Sequence, residues 1–476
     1  MRSDLEKMPL DARLGLLSMV LFHGVSCAKA TPVLSSELHP EARPAALLAA
    51  DASSDASPAD ASPEADAAEA RIDPDGNDDP YDPGSGPVPG SGRFVRVGLP
   101  PLGLQRICDM RPHEGRLVMA HANQPLGTDG ATLTAFRPDD PRRPFAVVFD
   151  WNRPGEPSKG GGAGQGFLRV HAIDGRLFVP DADPPYAGLG AVDGATEGYV
   201  FISDSRGAFA PSRPPNHGLP VAPTEDRAGV GILPRAYHVI DVIKVRGHLY
   251  ASTGSVPPKA RAWSGPSPGA LHVASPDLKR WTFDLSFPVP YPGGVWRLTY
   301  MVRFRDRLYA GIQDYEGTSP FDYVVLKPGP EARALSQGDL SPVRVTTDGA
   351  AFTLRWYADR GVLYWIAGSR GGEVKLRSTR DGDFWDVIEL PEGVGRPTDI
   401  KRFRDGLVVL TERALLSLEG THARIVAGSP EKKTPFVLND IFCSAPLAVL
   451  GGQLYAGGQR GGALYRLDTD ADAGSP

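Results

Sequence analysis

The chain repeats one pattern of apolar and polar positions: an apolar strand, a two-residue turn, and a second strand that opens on a leucine. Residues 237–255 show the whole pattern, with the turn at Arg246 and Gly247 and the second strand starting at Leu249. Short apolar stretches separated by turn residues are typical of antiparallel hairpins. The pattern therefore predicts an all-β protein built from hairpins.

The leucine that opens the second strand recurs at intervals of 60, 72, 59, 55, 44 and 47 residues. This spacing suits four strands and variable loops in each repeat, which is the period of a β-propeller blade. The repeated leucines are Leu117, Leu177, Leu249, Leu308, Leu363, Leu407 and Leu454. The content of 55 Gly and 47 Pro also favours many turns over helices.

The last repeat lacks one strand, whereas residues 93–97 form an apolar strand without a repeat of its own. Pairing this strand at the outside of the last blade closes the ring and removes an exposed sheet edge. The sequence thus predicts a seven-bladed β-propeller over residues 93–468, with six blades as the alternative. We place the first strand of the final blade near residues 436–444.

The N-terminus carries an export signal, because the apolar run at residues 14–22 follows Arg13 and is too short to span a bilayer. Residues 24–27, Gly-Val-Ser-Cys, resemble the lipobox of bacterial lipoproteins, which implies a signal peptide over 1–27 and a lipid on Cys27. Residues 28–30, Ala-Lys-Ala, fit cleavage for simple secretion instead. We expect an exported protein, lipid-anchored in the cell envelope or secreted.

Residues 28–92 form an Ala-, Ser-, Asp- and Pro-rich linker that we expect to be disordered, as we do the tail at 469–476. Thirteen Asp and Glu residues lie between positions 31 and 92, so the propeller is close to neutral although the chain has a net charge of −6. Nothing in this balance argues for a nucleic-acid partner, and we expect none. The expected membrane contact is the N-terminal lipid alone, and the expected state is a monomer.

Two cysteines remain in the propeller, Cys108 in the first repeat and Cys443 in the last. These repeats are neighbours in a closed ring, and an exported protein can oxidise its thiols. A disulfide between them is one hypothesis, and two buried free thiols are the other.

A turn in the fifth repeat carries a family resemblance. Residues 378–385, Ser-Thr-Arg-Asp-Gly-Asp-Phe-Trp, resemble the Asp-box of sialidases and their non-enzymatic relatives, with Arg380 at the position of the family's aspartate. Residues 275–281 are a shorter copy and residues 203–209 a weaker one. In that family these turns stand away from the active site, so the resemblance implies a propeller fold rather than an activity.

Long loops in the first four repeats mark one face of the ring. With strands a to d numbered outward from the centre, we assign residues 151–166, 184–198, 211–234, 256–269 and 315–321 to the b–c and d–a connections on that face. Aromatic residues in or beside them suit stacking on sugar rings or gripping a peptide, and they can equally anchor proline-rich loops. These candidate ligand contacts are Trp151, Tyr186, Trp263, Trp296 and Tyr315.

Polar residues recur on the innermost strands, where the central channel should be. Eight residues before a marker leucine stand Asp109, Arg169, Asp241, Tyr300, Arg355 and Asp399. Three residues further back stand Arg106, His238, Arg297 and Arg396. Such mixed charges are typical of a structural network with water, and we add Asp241 and Arg355 to the candidate ligand contacts.

The Asp-box resemblance also permits a sialidase-like hydrolase at this channel. Tyr300 would be the nucleophile, Asp109 the acid, and Arg106, Arg297 and Arg396 would bind the substrate carboxylate. The sequence contains no zincin motif, Walker A motif or nucleophile elbow, and we expect neither a metal nor a cofactor.

Three functions remain open from the sequence. The first is a non-catalytic propeller that binds a glycan or protein ligand on the face of blades one to four. The second is a sialidase-like glycoside hydrolase, and the third is a structural scaffold of the envelope.

Overall fold

Seven four-stranded antiparallel sheets follow one another around a ring in a computed structural model of the protein. The structure describes residues 82–104, 106–122, 131–150, 166–181, 197–209, 229–234, 236–255, 269–286, 296–314, 321–327, 339–346, 352–369, 373–431 and 443–469. All of them belong to one compact unit, residues 67–476. The prediction of a seven-bladed β-propeller is confirmed, and the six-bladed alternative is wrong.

Each of the first six blades takes its four strands in chain order from the centre outward. After β1 (Gly92–Gly98), the first three blades consist of β2 (Arg106–His113), β3 (Arg116–Ala122), β4 (Thr132–Phe136) and β5 (Phe145–Asp150); β6 (His171–Ile173), β7 (Arg176–Pro180), β8 (Glu197–Ile202) and β9 (Val230–Pro234); and β10 (Ala236–Val245), β11 (His248–Ser255), β12 (Gly269–Ala274) and β13 (Trp281–Ser286).

The later blades are more regular in spacing. They consist of β14 (Trp296–Phe304), β15 (Arg307–Asp314), β16 (Tyr323–Leu326) and β17 (Leu340–Val343); β18 (Phe352–Asp359), β19 (Val362–Gly368), β20 (Val374–Thr379) and β21 (Asp386–Ile388); β22 (Pro397–Phe403), β23 (Gly406–Thr411), β24 (Ala414–Glu419) and β25 (His422–Gly428); and β26 (Leu447–Leu450), β27 (Gln453–Gly457) and β28 (Leu464–Thr469).

The N-terminal strand closes the ring. Strand β1 pairs antiparallel with β28, with Phe94 opposite Leu467, and so becomes the fourth strand of the seventh blade. A short 3-10 turn, Pro101–Gly103, follows β1 and contacts the first blade. The predicted closure is confirmed. A disulfide between Cys108 and Cys443, 335 residues apart, joins the first blade to the segment before β26.

The repeated two-residue turns explain the repeated sequence pattern. Arg246 and Gly247, between β10 and β11, have φ of 50° and 82°. Positive φ at both positions defines the type I′ turn, whose twist matches that of the flanking strands. Glycine adopts this conformation without strain, which accounts for the recurring polar residue and glycine between strands a and b.

Apolar side chains fill the space between neighbouring blades. Between the fourth and fifth blades, the rings of Trp356 and Trp365 stack with their centroids 5.3 Å apart, and Tyr323 meets Trp365 edge-on. Such packing holds each blade against the next, and it fixes the inner strands around the axis.

Two boundaries predicted from the sequence are wrong. The first strand of the seventh blade is β26, not residues 436–444, because the two-residue turn at Gly451 and Gly452 pairs Leu450 directly with Gln453. Residues 211–234 do not belong to the loop-rich face: residues 230–234 are β9, and the connection from β8 to β9 joins strands c and d. Successive connections in an antiparallel sheet alternate between its ends, which puts this one on the opposite face.

Residues 82–91 lie against the sixth blade, inside the segment that we assigned to the linker. The backbone N–H of Arg404 donates to the carbonyl of Pro83 at 2.7 Å, and that of Asp405 to the carbonyl of Gly86 at 3.0 Å. These contacts are made by the a–b turn of the blade. The chain therefore meets the propeller at the end opposite the b–c loops.

Candidate functional site

Six polar side chains meet at the axis of the propeller. The guanidinium of Arg355 lies 3.4 Å from the carboxylate of Asp109, and that of Arg169 lies 4.0 Å from the ring centroid of Tyr300. Each pair comes from blades that are not neighbours, so the contacts cross the axis. We call the group the central ring; its members, each at most 9% exposed, are Asp109, Arg169, Asp241, Tyr300, Arg355 and Asp399.

The three carboxylates of the central ring connect neighbouring blades. Asp109 accepts a hydrogen bond from the backbone N–H of Val170 at 3.1 Å. Asp241 accepts from Met301 and Asp399 from Leu447, both at 2.7 Å. Each bond runs from one blade to the next, so these carboxylates hold pairs of inner strands in register.

The arginines neutralise most of this buried negative charge. Arg355 lies 3.5 Å from Asp399 as well as 3.4 Å from Asp109, and it donates to the carbonyl of Cys108 at 2.9 Å. Arg169 lies 3.6 Å from Asp109. Burial raises the pKa of Asp399, and the nearby Lys401 opposes that shift. The central ring is thus a buried ion-pair network.

Tyr300, the nucleophile of the hydrolase hypothesis, lies within this network. Its side chain is 1% exposed and is covered by Arg169. Burial raises the pKa of its hydroxyl well above the ordinary value, although the charge of Arg169 acts in the opposite direction. A tyrosine nucleophile needs a depressed pKa or an adjacent base. The surroundings of Tyr300 favour the neutral phenol.

A β-bulge lies at the central-ring residue in five blades, in the fourth between Leu298 and Met301 on either side of Tyr300, and no pattern in the sequence predicted it. The register of β2 and β3 shifts between Ile107 and Asp109, and that of β18 and β19 between Thr353 and Arg355. The third and sixth blades repeat the shift before Asp241 and Asp399. A bulge redirects the next side chain. The residues inserted at these bulges are of different types. Only the recurring polar residue that follows them could therefore have indicated the bulges from the sequence.

The second set of channel residues lies where the inner strands begin, at the end of the blades from which the b–c loops leave. We call these four side chains the entrance; they are Arg106, His238, Arg297 and Arg396. Arg396 is held within its own blade, because it donates to Glu412 at 3.0 and 2.6 Å. The other three side chains, Arg106, His238 and Arg297, come from the first, third and fourth blades.

Arg297 reaches across the entrance from the fourth blade to the third. Its aliphatic stem lies against Gly254, where an added Cβ would come within 2.8 Å of Cγ of Arg297. Its guanidinium lies 3.5 Å from the amide oxygen of Gln313. Gly254 therefore makes room for this side chain.

Arg106 is anchored through its backbone by a buried histidine. Its carbonyl lies 2.9 Å from Nδ1 of His121, whose Nε2 lies 2.7 Å from Oγ1 of Thr134. A carbonyl only accepts, so Nδ1 carries the proton and the hydroxyl of Thr134 donates to Nε2. Burial lowers the pKa of His121 to about 4, so the imidazole is neutral at physiological pH. Burial also lowers the pKa of the Arg106 guanidinium.

The structure places only some of the other candidate residues. Four candidate aromatics, Trp151, Tyr186, Trp263 and Tyr315, and the candidate lipidation residue Cys27 lie outside the described residues. Trp296 begins β14, and its side chain is likewise outside the description. The described part of the chain holds no group of three or more His, Cys, Asp or Glu side chains suited to a metal ion.

The Asp-box-like turns cap hairpins at the opposite face. In the fifth blade, Asp381 accepts from the backbone N–H of Phe384 at 2.9 Å, and Thr379 from that of Gly382 at 2.9 Å. These backbone hydrogen bonds lower the pKa of Asp381 to about 2. The capping carboxylate thus lies one residue after Arg380, which occupies the position of the aspartate in the family's motif. In the third blade Ser275 and Asp277 form the same kind of cap.

No family model and no curated protein matches the chain. Solved structures with a similar fold include virginiamycin B lyase from Staphylococcus aureus, at 8% identity and a TM-score of 0.45 over 79% of this chain and 99% of that one. The extracellular domain of a putative hybrid two-component system from B. thetaiotaomicron is 11% identical, with a TM-score of 0.46 over 80% of this chain and 43% of its own.

A third similar structure is PorZ, a bacterial surface component of the type-IX secretion system of Porphyromonas gingivalis. It is 17% identical, with a TM-score of 0.46 over 76% of this chain and 46% of its own. The chain thus spans less than half the length of the last two proteins, and all three likenesses concern the fold alone. Across the described ranges no helix has the length and hydropathy that a bilayer crossing requires.

Proposed function

We propose that this protein is an exported, lipid-anchored β-propeller that binds an anionic glycan at the entrance, without catalysis. One observation supports this proposal above others. The same inner strands carry an ion-paired central ring and, three residues earlier, the cationic entrance side chains Arg106 and Arg297. Guanidinium groups bind carboxylates through paired hydrogen bonds, so this end of the channel suits an acidic sugar.

Binding is a better account than hydrolysis because the groups that a sialidase-like mechanism would use have other contacts. Tyr300 is buried with a raised pKa, and Asp109 lies within 3.6 Å of both Arg169 and Arg355. Arg396 is paired with Glu412. The residues that hydrolysis would need as nucleophile, as acid and as one of the carboxylate-binding arginines thus have contacts within the protein instead.

The place where the chain joins the propeller supports an anchored arrangement. Residues 82–91 contact the a–b turn of the sixth blade, at the face opposite the entrance. A tether attached there starts at the face of the propeller away from the entrance. A lipid on Cys27 would therefore leave the proposed ligand face accessible.

A glycan array followed by calorimetric titration tests the proposal. Sialylated or uronate-containing glycans should bind and their neutral counterparts should not. Arg297→Gln should weaken the best ligand about tenfold, since it removes a charge-assisted contact. Arg360→Gln, at an exposed turn of the fifth blade, is the matched control and should bind normally. Equal binding of neutral glycans, or normal binding by Arg297→Gln, would contradict the proposal; retention of an acidic protein instead of any glycan would redirect it.

Turnover of a fluorogenic sialoside separates binding from hydrolysis. We expect no release of the fluorophore by the purified protein. Hydrolysis that disappears in Tyr300→Phe, which keeps the ring beneath Arg169, would establish the hydrolase instead.

A further inference from the structure

A groove of about 560 Å³ lies between the second and third blades, at the face of the a–b turns. Its floor is apolar, formed by Ile173, Phe178 and Leu249. Two cationic side chains, Arg176 and Lys244, stand around it, together with His248 and the carboxylate of Asp174. The volume falls within the range of pockets that hold small organic ligands, roughly 300 to 1,000 Å³. The groove is on the opposite side of the propeller from the entrance.

One wall of the groove is formed by a leucine in an unfavourable backbone conformation. Leu278 has φ of 63°, whereas the corresponding turn of the fifth blade has Gly382 at φ of 87°. The left-handed conformation costs a non-glycine residue about 1–2 kcal/mol. The side chain of Leu278 packs against the apolar cluster between the two blades and also lines the groove.

The charge around the groove is positive. Lys244 donates to Asp174 at 2.7 and 2.8 Å, which offsets one cation with one carboxylate. Arg176 is exposed, and no carboxylate of the described residues forms an ion pair with it. Backbone hydrogen bonds from Ala208 and Arg206 lower the pKa of Asp204, and the charge of Arg176 adds a smaller contribution. With Lys244 offset by Asp174, the guanidinium of Arg176 is the positive group in the groove that can bind an anion.

Tyr250 adds a neutral hydrogen-bond donor to the lining. Burial raises the pKa of its hydroxyl to about 12, and the nearby Asp284 contributes in the same direction. The phenol therefore stays protonated over the whole physiological range. A donor beside a guanidinium is a suitable environment for a carboxylate oxygen.

We infer that this groove is a second binding site, which takes a small organic anion with an apolar or aromatic body. The anionic group lies beside Arg176 and Lys244, and the body lies over Phe178 and Leu249 against the side chain of Leu278. This site is independent of the entrance, because it lies at the a–b turns on the other face of the propeller.

Two fluorescent probes of nearly the same shape test this inference on the full chain. One is 8-anilinonaphthalene-1-sulfonate, an aromatic anion, and the other is N-phenyl-1-naphthylamine, which lacks the sulfonate. The anion should bind at one site and about tenfold more tightly than the neutral probe, as expected for a charge-assisted contact. Arg176→Ala should remove most of this difference. Arg360→Ala, an exposed arginine on the equivalent turn of the fifth blade, is the matched control and should leave both affinities unchanged.

The wall of the groove is tested by Leu278→Gly, measured well below the unfolding temperature. We expect the affinity for the anionic probe to fall about fivefold, since the apolar wall is lost. The Tm should stay within about 3 °C, because glycine relieves the left-handed strain while losing apolar contact. Equal affinities for the two probes, or an unchanged affinity in Arg176→Ala or in Leu278→Gly, would overturn the inference whatever the Tm.

Discussion

The central ring and the entrance are built on the same inner strands, three residues apart, and yet their side chains have different partners. In the central ring Arg355 lies between Asp109 and Asp399, and each carboxylate also accepts a backbone N–H of the next blade. At the entrance, Arg297 reaches the neutral amide of Gln313. The comparison teaches that position along the inner strand decides which partner a side chain meets. Side chains that meet across the axis neutralise one another, whereas Arg297 and Arg396 at its end contact Gln313 and Glu412 of their own blades.

Removing the arginine at the centre should have the largest effect. Arg355→Met leaves Asp109 and Asp399 buried beside each other without their shared cation, so the free energy of unfolding should fall by about 3–5 kcal/mol. Chemical denaturation measures this change. Arg360→Met, an exposed arginine five residues later, should change it by less than about 0.5 kcal/mol. Similar values for the two variants would mean that the central ring does not stabilise the fold.

Lowering the pH should weaken the support that His121 gives to the entrance. His121 has a pKa of about 4 in the folded protein, and an unfolded histidine titrates near 6.5. The unfolded state therefore takes up the proton first as the pH falls. Its contribution to stability is complete above pH 6.5, and about 3 kcal/mol of it is lost by pH 4.

The measurement is the difference in pH dependence between the natural protein and His121→Gln, which has no titrating group at this position. Carboxylates also titrate in this pH range. Because both proteins contain them, their contributions to the pH dependence cancel in that difference. Identical pH slopes for the two proteins would show that His121 is not held neutral.

The smallest effect should come from displacing Arg297 without removing its charge. The Cβ of Gly254→Ala would meet Cγ of Arg297 at 2.8 Å and push the stem aside. We expect about fivefold weaker binding of the acidic glycan, with a loss of stability of about 1 kcal/mol. Gly90→Ala, where an added Cβ meets nothing within 4 Å, is the control.

A double variant sharpens this last experiment. Gly254→Ala in an Arg297→Gln background should weaken binding no further, because the side chain that it displaces no longer carries the charge. Additive losses would show that Gly254 acts on the ligand by another route.

Much of the fold was predictable because it depends on local chemistry. The turn residues before Leu249 and its equivalents predict each hairpin. The N-terminal strand without a repeat of its own, β1, predicted the closure with β28. The wrong assignments arose where a displacement of a few residues along the chain leaves no pattern in the sequence. The cap at Asp381 was not predicted, because the motif puts the family's aspartate at Arg380, and residues 230–234, which form β9, were assigned to a loop.

The candidate site was predictable only as a set of positions. The recurring polar residue eight positions before each leucine indicated Asp109 and Arg355, and the structure brings both into the central ring. The sequence did not indicate that Glu412 holds Arg396, or that His121 supports Arg106. Nothing in the pattern around Leu278 predicted a groove. The proposed ligand and the lipid on Cys27 stay predictions.

The sequence by itself determined the hairpins, the number of blades and the closure, because turn conformation and strand alternation are encoded within a few neighbouring residues. Only the tertiary structure decided which charges neutralise one another, since Asp109 and Arg355 are 246 residues apart and meet through the closed ring. The groove between the second and third blades was likewise decided only by the tertiary structure. Coulomb attraction and packing act over distance in space, and a linear pattern does not contain that distance until the blades are assembled.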